Sequence, residues 1–258
     1  MTVDEKIGQQ AEEYDFPYHY LPVPAILESS PRLSRRWGFA ASYLAALDIG
    51  IEWLLKEISI HSSCETWKHV DVGCGDGAFL YHLSRVPVSI NLDLTGIDQD
   101  ARAIDWAKNF SRSTEFICGD LSSIAGREFN SASLIEVLEH IPPPKIEGFL
   151  SQIAGILHSD ARMIVTVPSV EKKLEQKHFQ HFDFCQIKEI FEKNFRILEI
   201  SAFERVPLIS RVLDKIYNKY GIFIDAPFLT NFIIKKMRKK YSNISNCGRI
   251  LIIVEKKL

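Results

Sequence analysis

Long apolar runs are missing from this chain. None approaches the roughly 20 residues that a membrane-spanning helix needs. Cysteine is scarce as well. Cys64, Cys74, Cys118, Cys185 and Cys247 are odd in number and nowhere spaced C-x-x-C. That argues against a disulfide framework or a cysteine-built zinc site, and it predicts a reducing, cytoplasmic setting. A dominant charge sign is also lacking: 31 Lys and Arg against 33 Asp and Glu leave a net charge of −2. No global field draws such a chain to nucleic acid or to an anionic membrane, so either contact would need a local patch. Residues 1–13 have neither a basic n-region nor an apolar h-region, so a secretory signal is not expected there. Internal repeats and low-complexity tracts are absent too. What remains is an ordinary globular composition, 46% hydrophobic and 25% charged over 258 residues, enough for one sizeable core with elaborations around it.

Residues 14–37 concentrate aromatics and prolines, among them Tyr14, Phe16, Pro17, Tyr18, His19, Tyr20, Pro22 and Pro24. Proline at this density forbids a long helix. The segment reads as an extended stretch that packs onto the body, either as core or as a lid. From residue 37 to 58 apolar residues return at helical spacing and predict one or two helices. An α/β alternation follows. Strands are expected at 67–72, 92–97, 115–118, 132–137, 161–167, 195–202 and 249–255. Helices are expected at 77–85, 100–110, 144–157 and 184–193.

The most informative stretch is 69–77, His-Val-Asp-Val-Gly-Cys-Gly-Asp-Gly. A β-branched run ends in Asp71 and meets glycines at alternate positions, Gly73, Gly75 and Gly77. Such a strand feeds a tight turn, and glycine supplies the φ > 0 conformations and the close backbone approach that it needs. A dinucleotide fingerprint would place its third glycine one residue later. The D-x-G-x-G-x-G pattern instead resembles motif I of the class I S-adenosylmethionine-dependent methyltransferases. The resemblance covers about 66–205 plus the last strand. It implies a Rossmann-like, seven-stranded, mostly parallel sheet with helices on both faces, the last strand antiparallel beside the fifth. Residues 66–258 would form the cofactor-binding domain. Residues 1–65 would be an N-terminal extension with a lid and helices, and 204–246 a helical insert toward the acceptor.

The same resemblance implies S-adenosylmethionine as cofactor. Gly73, Cys74, Gly75 and Gly77 would shape its turn, and Asp71 would orient that turn and reach the methionine amine. Asp98 would accept from both ribose hydroxyls, with Gln99 beside it; a carboxylate offers two acceptor oxygens to two vicinal donors. Asp100 reads rather as a helix N-cap. Asp120 would accept from the adenine amine and Leu121 would cover the base. The stretch 131–140, Ser-Ala-Ser-Leu-Ile-Glu-Val-Leu-Glu-His, resembles the family's fourth-strand motif, with Glu136 on the cofactor side. Ser133 or Leu134 stands where an Asp is frequent in the family.

Glu139 and His140 follow that strand, and His178 and His181 follow the next. Two chemistries compete for them, beside a structural reading in which Glu139 and His140 only cap and orient the loop. His140 or His181 could serve as a general base toward an acceptor hydroxyl, since imidazole titrates near working pH. Alternatively Glu136, Glu139, His140 and His181 could hold a divalent metal that polarises hydroxyls. The second arrangement resembles small-RNA 3′-terminal 2′-O-methyltransferases, although their longer signature around the last histidine is absent. The expectation is methyl transfer to an oxygen of a small molecule or glycan-like metabolite. A metal-assisted RNA 2′-O-methyltransferase and a non-catalytic cofactor-binding partner protein are the alternatives. Residues 235–240, Lys-Lys-Met-Arg-Lys-Lys, read as a solvated helix face, or as a contact for a phosphate-bearing acceptor, RNA or an anionic membrane surface.

Overall fold

The computed structural model describes residues 2–12, 37–61, 65–222 and 226–257. Residues 14–36, with the expected lid, lie outside them.

Seven strands form one sheet: β1 (Thr66–Val72), β2 (Asn91–Asp98), β3 (Glu115–Cys118), β4 (Phe129–Ile135), β5 (Leu157–Pro168), β6 (Phe195–Phe203) and β7 (Arg249–Lys256). Their order is β3-β2-β1-β4-β5-β7-β6. Strands β1 to β5 pair in parallel, and β7 lies antiparallel between β5 and β6. The order reverses between β1 and β4, so a crevice opens at their carboxyl ends, where ligands of open α/β sheets bind.

Burial on both faces explains the near-continuous apolar character of the inner strands. Val70 and Val72 of β1 point into a core shared with α5 (Ile146–Gly155) and α6 (Phe184–Phe191). Trp67 belongs to the opposite core, with α3 (Ala78–Leu83), α4 (Ala101–Phe110) and the long helix α2 (Trp37–Ile60). Asp100 caps α4 through the amides of Arg102 and Ala103, as expected. A capping box, Asp183 with Gln186, starts α6. Helix α2 runs on past these to pack against α7 (Leu208–Tyr220) and α8 (Pro227–Met237), two helices between β6 and β7. A first helix, α1 (Val3–Glu12), was not expected from its polar sequence. Among the described residues no helix is long and apolar enough to cross a membrane.

Candidate active site

The turn after β1 sits at the sheet's order reversal. Gly73, Gly75 and Gly77 all take positive φ, at 73°, 54° and 78°. The amides of Gly73 and Cys74 both donate to the Ile97 carbonyl, at 2.8 and 3.1 Å, which clamps the turn onto the end of β2. Neighbours restrict it further. A Cβ on Gly73 would lie 2.6 Å from a Val137 methyl, and one on Gly77 would lie 2.8 Å from the Phe116 ring. The turn therefore packs directly against the segment that follows β4, which leads to Glu139 and His140.

Beneath the turn runs a buried polar chain that sequence reasoning did not find. Trp67 Nε1 donates to Ser131 Oγ at 2.8 Å, and Ser131 Oγ lies 2.8 Å from His69 Nδ1. His69 Nε2 lies 3.0 Å from Ser133 Oγ, which donates to Asp71 at 2.5 Å. The hydroxyl proton of Ser133 is spent on Asp71, so His69 must donate through Nε2 and accept at Nδ1. Every bond in the chain points toward the carboxylate. Burial holds His69 neutral, with its pKa pushed down to about 3. Burial likewise pushes Asp71 up to about 7, against the lowering by Ser133. Ser133 thus serves as donor to the carboxylate one strand away.

Asp98 ends β2. Its two oxygens accept from the amides of Gly75 and Asp100, both at 2.9 Å, so it joins the glycine turn to the start of α4. Each oxygen keeps a further acceptor site. Burial raises its pKa despite those amides. Asp120 is exposed after β3 and caps a short 3-10 turn through Ser122, whose hydroxyl and amide hold its pKa low. Leu121 beside it is buried. Gln99 and Cys74 flank the same strand ends; Cys74 is buried and its thiol pKa is pushed well up by desolvation.

Glu136, directly after β4, takes a left-handed conformation, φ 57°. Its carboxylate lies 2.9 Å from Arg249 Nε at the start of β7. Arg249 also meets Glu204 at 2.7 Å, and Lys172 meets Glu204 at 2.8 Å. Burial alone would raise Glu204, but Arg249 and Lys172 hold it below its ordinary value. Nothing in the pattern of β7 marked Arg249 beyond its being a charge opening an apolar strand. Glu136 keeps one buried oxygen without a hydrogen-bond partner among the described residues.

The histidines converge. His140 and His178 rings meet edge to face with centroids 4.7 Å apart. His178 Nδ1 lies 2.9 Å from His181 Nε2, and His181 Nδ1 lies 3.1 Å from the Lys172 carbonyl. A carbonyl only accepts, so neutral His181 carries its proton on Nδ1, its Nε2 accepts from His178 Nδ1, and His178 Nε2 is left with a bare lone pair. His140 Nδ1 has no partner among the described residues, nor does Oε2 of buried Glu139. Desolvation, aided by Lys177, pushes His140 down to about 4, and desolvation with the neighbouring histidines pushes His178 to about 2. Glu139 is pushed up by burial and by Glu136. One ligand atom each from Glu139, His140 and His178 lie within 4.8 Å of one another. Glu136 and His181, expected beside them as ligands, are engaged instead by Arg249 and by His178. Helix α1 closes over this loop: Lys6 Nζ donates to the His178 carbonyl and stands 5.0 Å from the Phe179 ring centre.

This sheet order, with a glycine turn and an acidic residue ending each of the next two strand units, defines a class I methyltransferase fold. Residues 38–203 match the family described as "Methyltransferase domain". The chain belongs to that family and is an S-adenosylmethionine-dependent methyltransferase. No curated protein matches the chain. Among solved structures, a SAM-dependent methyltransferase from Archaeoglobus fulgidus aligns with TM-score 0.52 at 16% identity, over 80% of this chain and 94% of that one. A putative sarcosine dimethylglycine methyltransferase from Galdieria sulphuraria aligns with TM-score 0.55 at 11% identity, over 81% and 85%. Magnesium protoporphyrin IX methyltransferase from Synechocystis PCC 6803, with bound SAM, aligns with TM-score 0.53 at 12% identity, over 87% and 86%.

Proposed function

We propose that the enzyme methylates an oxygen of a small-molecule or glycan-like acceptor, with His140 as general base. The observation that carries this reading is the bare, buried Nδ1 of a neutral, half-buried imidazole on the segment packed against the glycine turn. S-adenosylmethionine supplies a methyl group on a good sulfonium leaving group. An alcohol nucleophile still needs a base, and positioning does the rest. His140 takes the hydroxyl proton at Nδ1. His181 has both ring nitrogens committed and acts as the positioning group for His178. Asp71, Gly73, Cys74, Gly75 and Gly77 hold the donor's amino-acid end. Asp98 and Gln99 take the ribose, and Asp120 and Leu121 the adenine. The cradle fits: the turn allows close backbone approach, and Asp98 retains acceptor capacity on both oxygens.

Calorimetric titration with S-adenosylmethionine tests the donor site; affinity unchanged in both Asp98→Ala and Gly75→Val would overturn it. Methyl-labelled donor incubated with fractionated cell extract identifies the acceptor. On that acceptor His140→Ala lowers kcat by roughly 10²- to 10⁴-fold, the usual weight of a general base, with donor affinity unchanged. Full turnover in His140→Ala would remove it as base.

A second reading has the three converging unpartnered lone pairs of Glu139, His140 and His178 in its favour: they would hold a divalent cation that polarises the acceptor hydroxyl. Methylation of an RNA 3′ end that depends on added Mg²⁺ or Mn²⁺ and is lost in His178→Ala selects it. A metal-free preparation with full activity excludes it.

A further inference from the structure

Helices α7 and α8 lie outside the residues that match the family and carry a charge pattern of their own. Residues 204–246 hold nine Lys and Arg against three Asp and Glu, a surplus of six positive charges in a chain whose net charge is −2. Their apolar residues outnumber what the body can cover. On α7, Leu213 and Tyr217 face inward, while Leu208 and Tyr220 stand 77% and 62% exposed. On α8, Ile233 and Met237 pack with Leu213 and Ala45, while Phe228 is 79% exposed and Phe232 49%.

The helical period sets Lys235 and Lys236 on the same outward side as Phe228 and Phe232. Lys236 Nζ stands 5.5 Å from the Phe232 ring centre. Two other cations of the run are already neutralised, Arg238 by Asp48 and Glu52, and Lys240 by Glu199. Lys235, Lys236 and Lys239 have no acidic partner among the described residues. A merely solvated face explains the lysines but not two outward phenylalanines beside them. Outward aromatic rings followed by unneutralised lysines at the end of a surface helix are what a bilayer interface accommodates: rings at the headgroup–acyl boundary, ammonium groups among the phosphates.

We propose that the α7–α8 pair docks this enzyme on an anionic lipid bilayer, Phe228 and Phe232 entering the interface and Lys235, Lys236 and Lys239 meeting lipid phosphate. The docking stands independently of the acceptor and of the base assigned above. Flotation of the full chain with phosphatidylglycerol–phosphatidylcholine vesicles, against phosphatidylcholine alone, tests it. Binding is expected to the anionic vesicles and to weaken as salt rises. Replacing Lys235, Lys236 and Lys239 by Gln together lowers partitioning roughly 100-fold, at about 1 kcal/mol per cation. The pair Phe228→Ser and Phe232→Ser weakens binding even at low salt. Both variants change exposed positions, so thermal unfolding and donor affinity stay at the wild-type level and separate loss of docking from loss of fold.

Absence of vesicle binding at low salt overturns the proposal, as does binding that both variants leave intact. A wild-type dimer dissolved by Phe228→Ser, without vesicle binding, would assign the face to a second copy. RNA binding without vesicle binding would assign it to nucleic acid. Either result overturns the membrane assignment.

Discussion

Asp71 shows what a single residue does beneath this turn. A carboxyl whose pKa is about 7 when folded and 3.8 otherwise binds an extra proton in the native state between those values. Its stabilising share is complete below pH 3.8 and is lost as pH rises through 7. Asp71→Asn removes that loss, which is on the order of 4 kcal/mol at most for a shift of this size. The unliganded variant therefore melts higher than wild type at pH 8 and about equal to it at pH 4, by calorimetry, while its affinity for the cationic donor falls. His69, His140 and His178 work in the opposite sense: their folded pKa values lie below 6.5, so stability falls as pH drops below that value. Gly77→Ala sets a Cβ against Phe116 at positive φ and costs about 1–3 kcal/mol, read as a lowered melting temperature. At this scale the sequence was legible wherever a role follows from neighbours in the chain. Asp98 closes an apolar strand and Asp100 precedes an apolar helical face, and both positions declare themselves. The chain from Trp67 to Asp71 was hidden because the serines that link it, Ser131 and Ser133, come from β4, some sixty residues away.

At the level of elements, the candidate active site is assembled by segments that follow strands. Arg249 opens β7 yet serves the loop after β4 by pairing Glu136, and it serves Glu204 at the end of β6. Arg249→Met leaves half-buried Glu136 without its cation and buried Glu204 with Lys172 alone, and destabilises by about 3–5 kcal/mol in urea unfolding. Adding Glu204→Gln recovers part of that loss, because the buried carboxylate left with Lys172 as its sole cation goes with it. Element types and most boundaries could be read from periodicity: β3 at 115–118 and the start of α6 follow from apolar alternation and a capping box. Helix α1 could not, since it lacks an apolar stripe. A signal was nevertheless present in the Thr2 and Glu5 spacing, which forms a reciprocal cap with Thr2 N donating to Glu5 Oε2 at 2.7 Å and Glu5 N donating to Thr2 Oγ1 at 3.2 Å. Its place over His178 depends on a contact through Lys6 that no local pattern announces.

For the molecule as a whole, the sheet was legible through the resemblance that the glycine turn carries, which implies a final strand antiparallel beside the fifth, as is found. The additions around that frame were harder. Residues 204–246 were recognisable as helical and basic, but which phenylalanines face outward depends on how α8 meets α2 and α7.

The placement of β7 has a temporal meaning. It is made after the other six strands, and it is inserted between β5 and β6 rather than added at an edge. During synthesis, which advances at about 5–20 residues per second, the earlier strands can pair, but that slot stays unfilled until residue 256 has cleared the ribosome. Glu136 receives its arginine at the same moment. A nascent chain can therefore present the glycine turn before the loop after β4 is held by its cation, so that loop gains its final anchor only once translation has passed this strand.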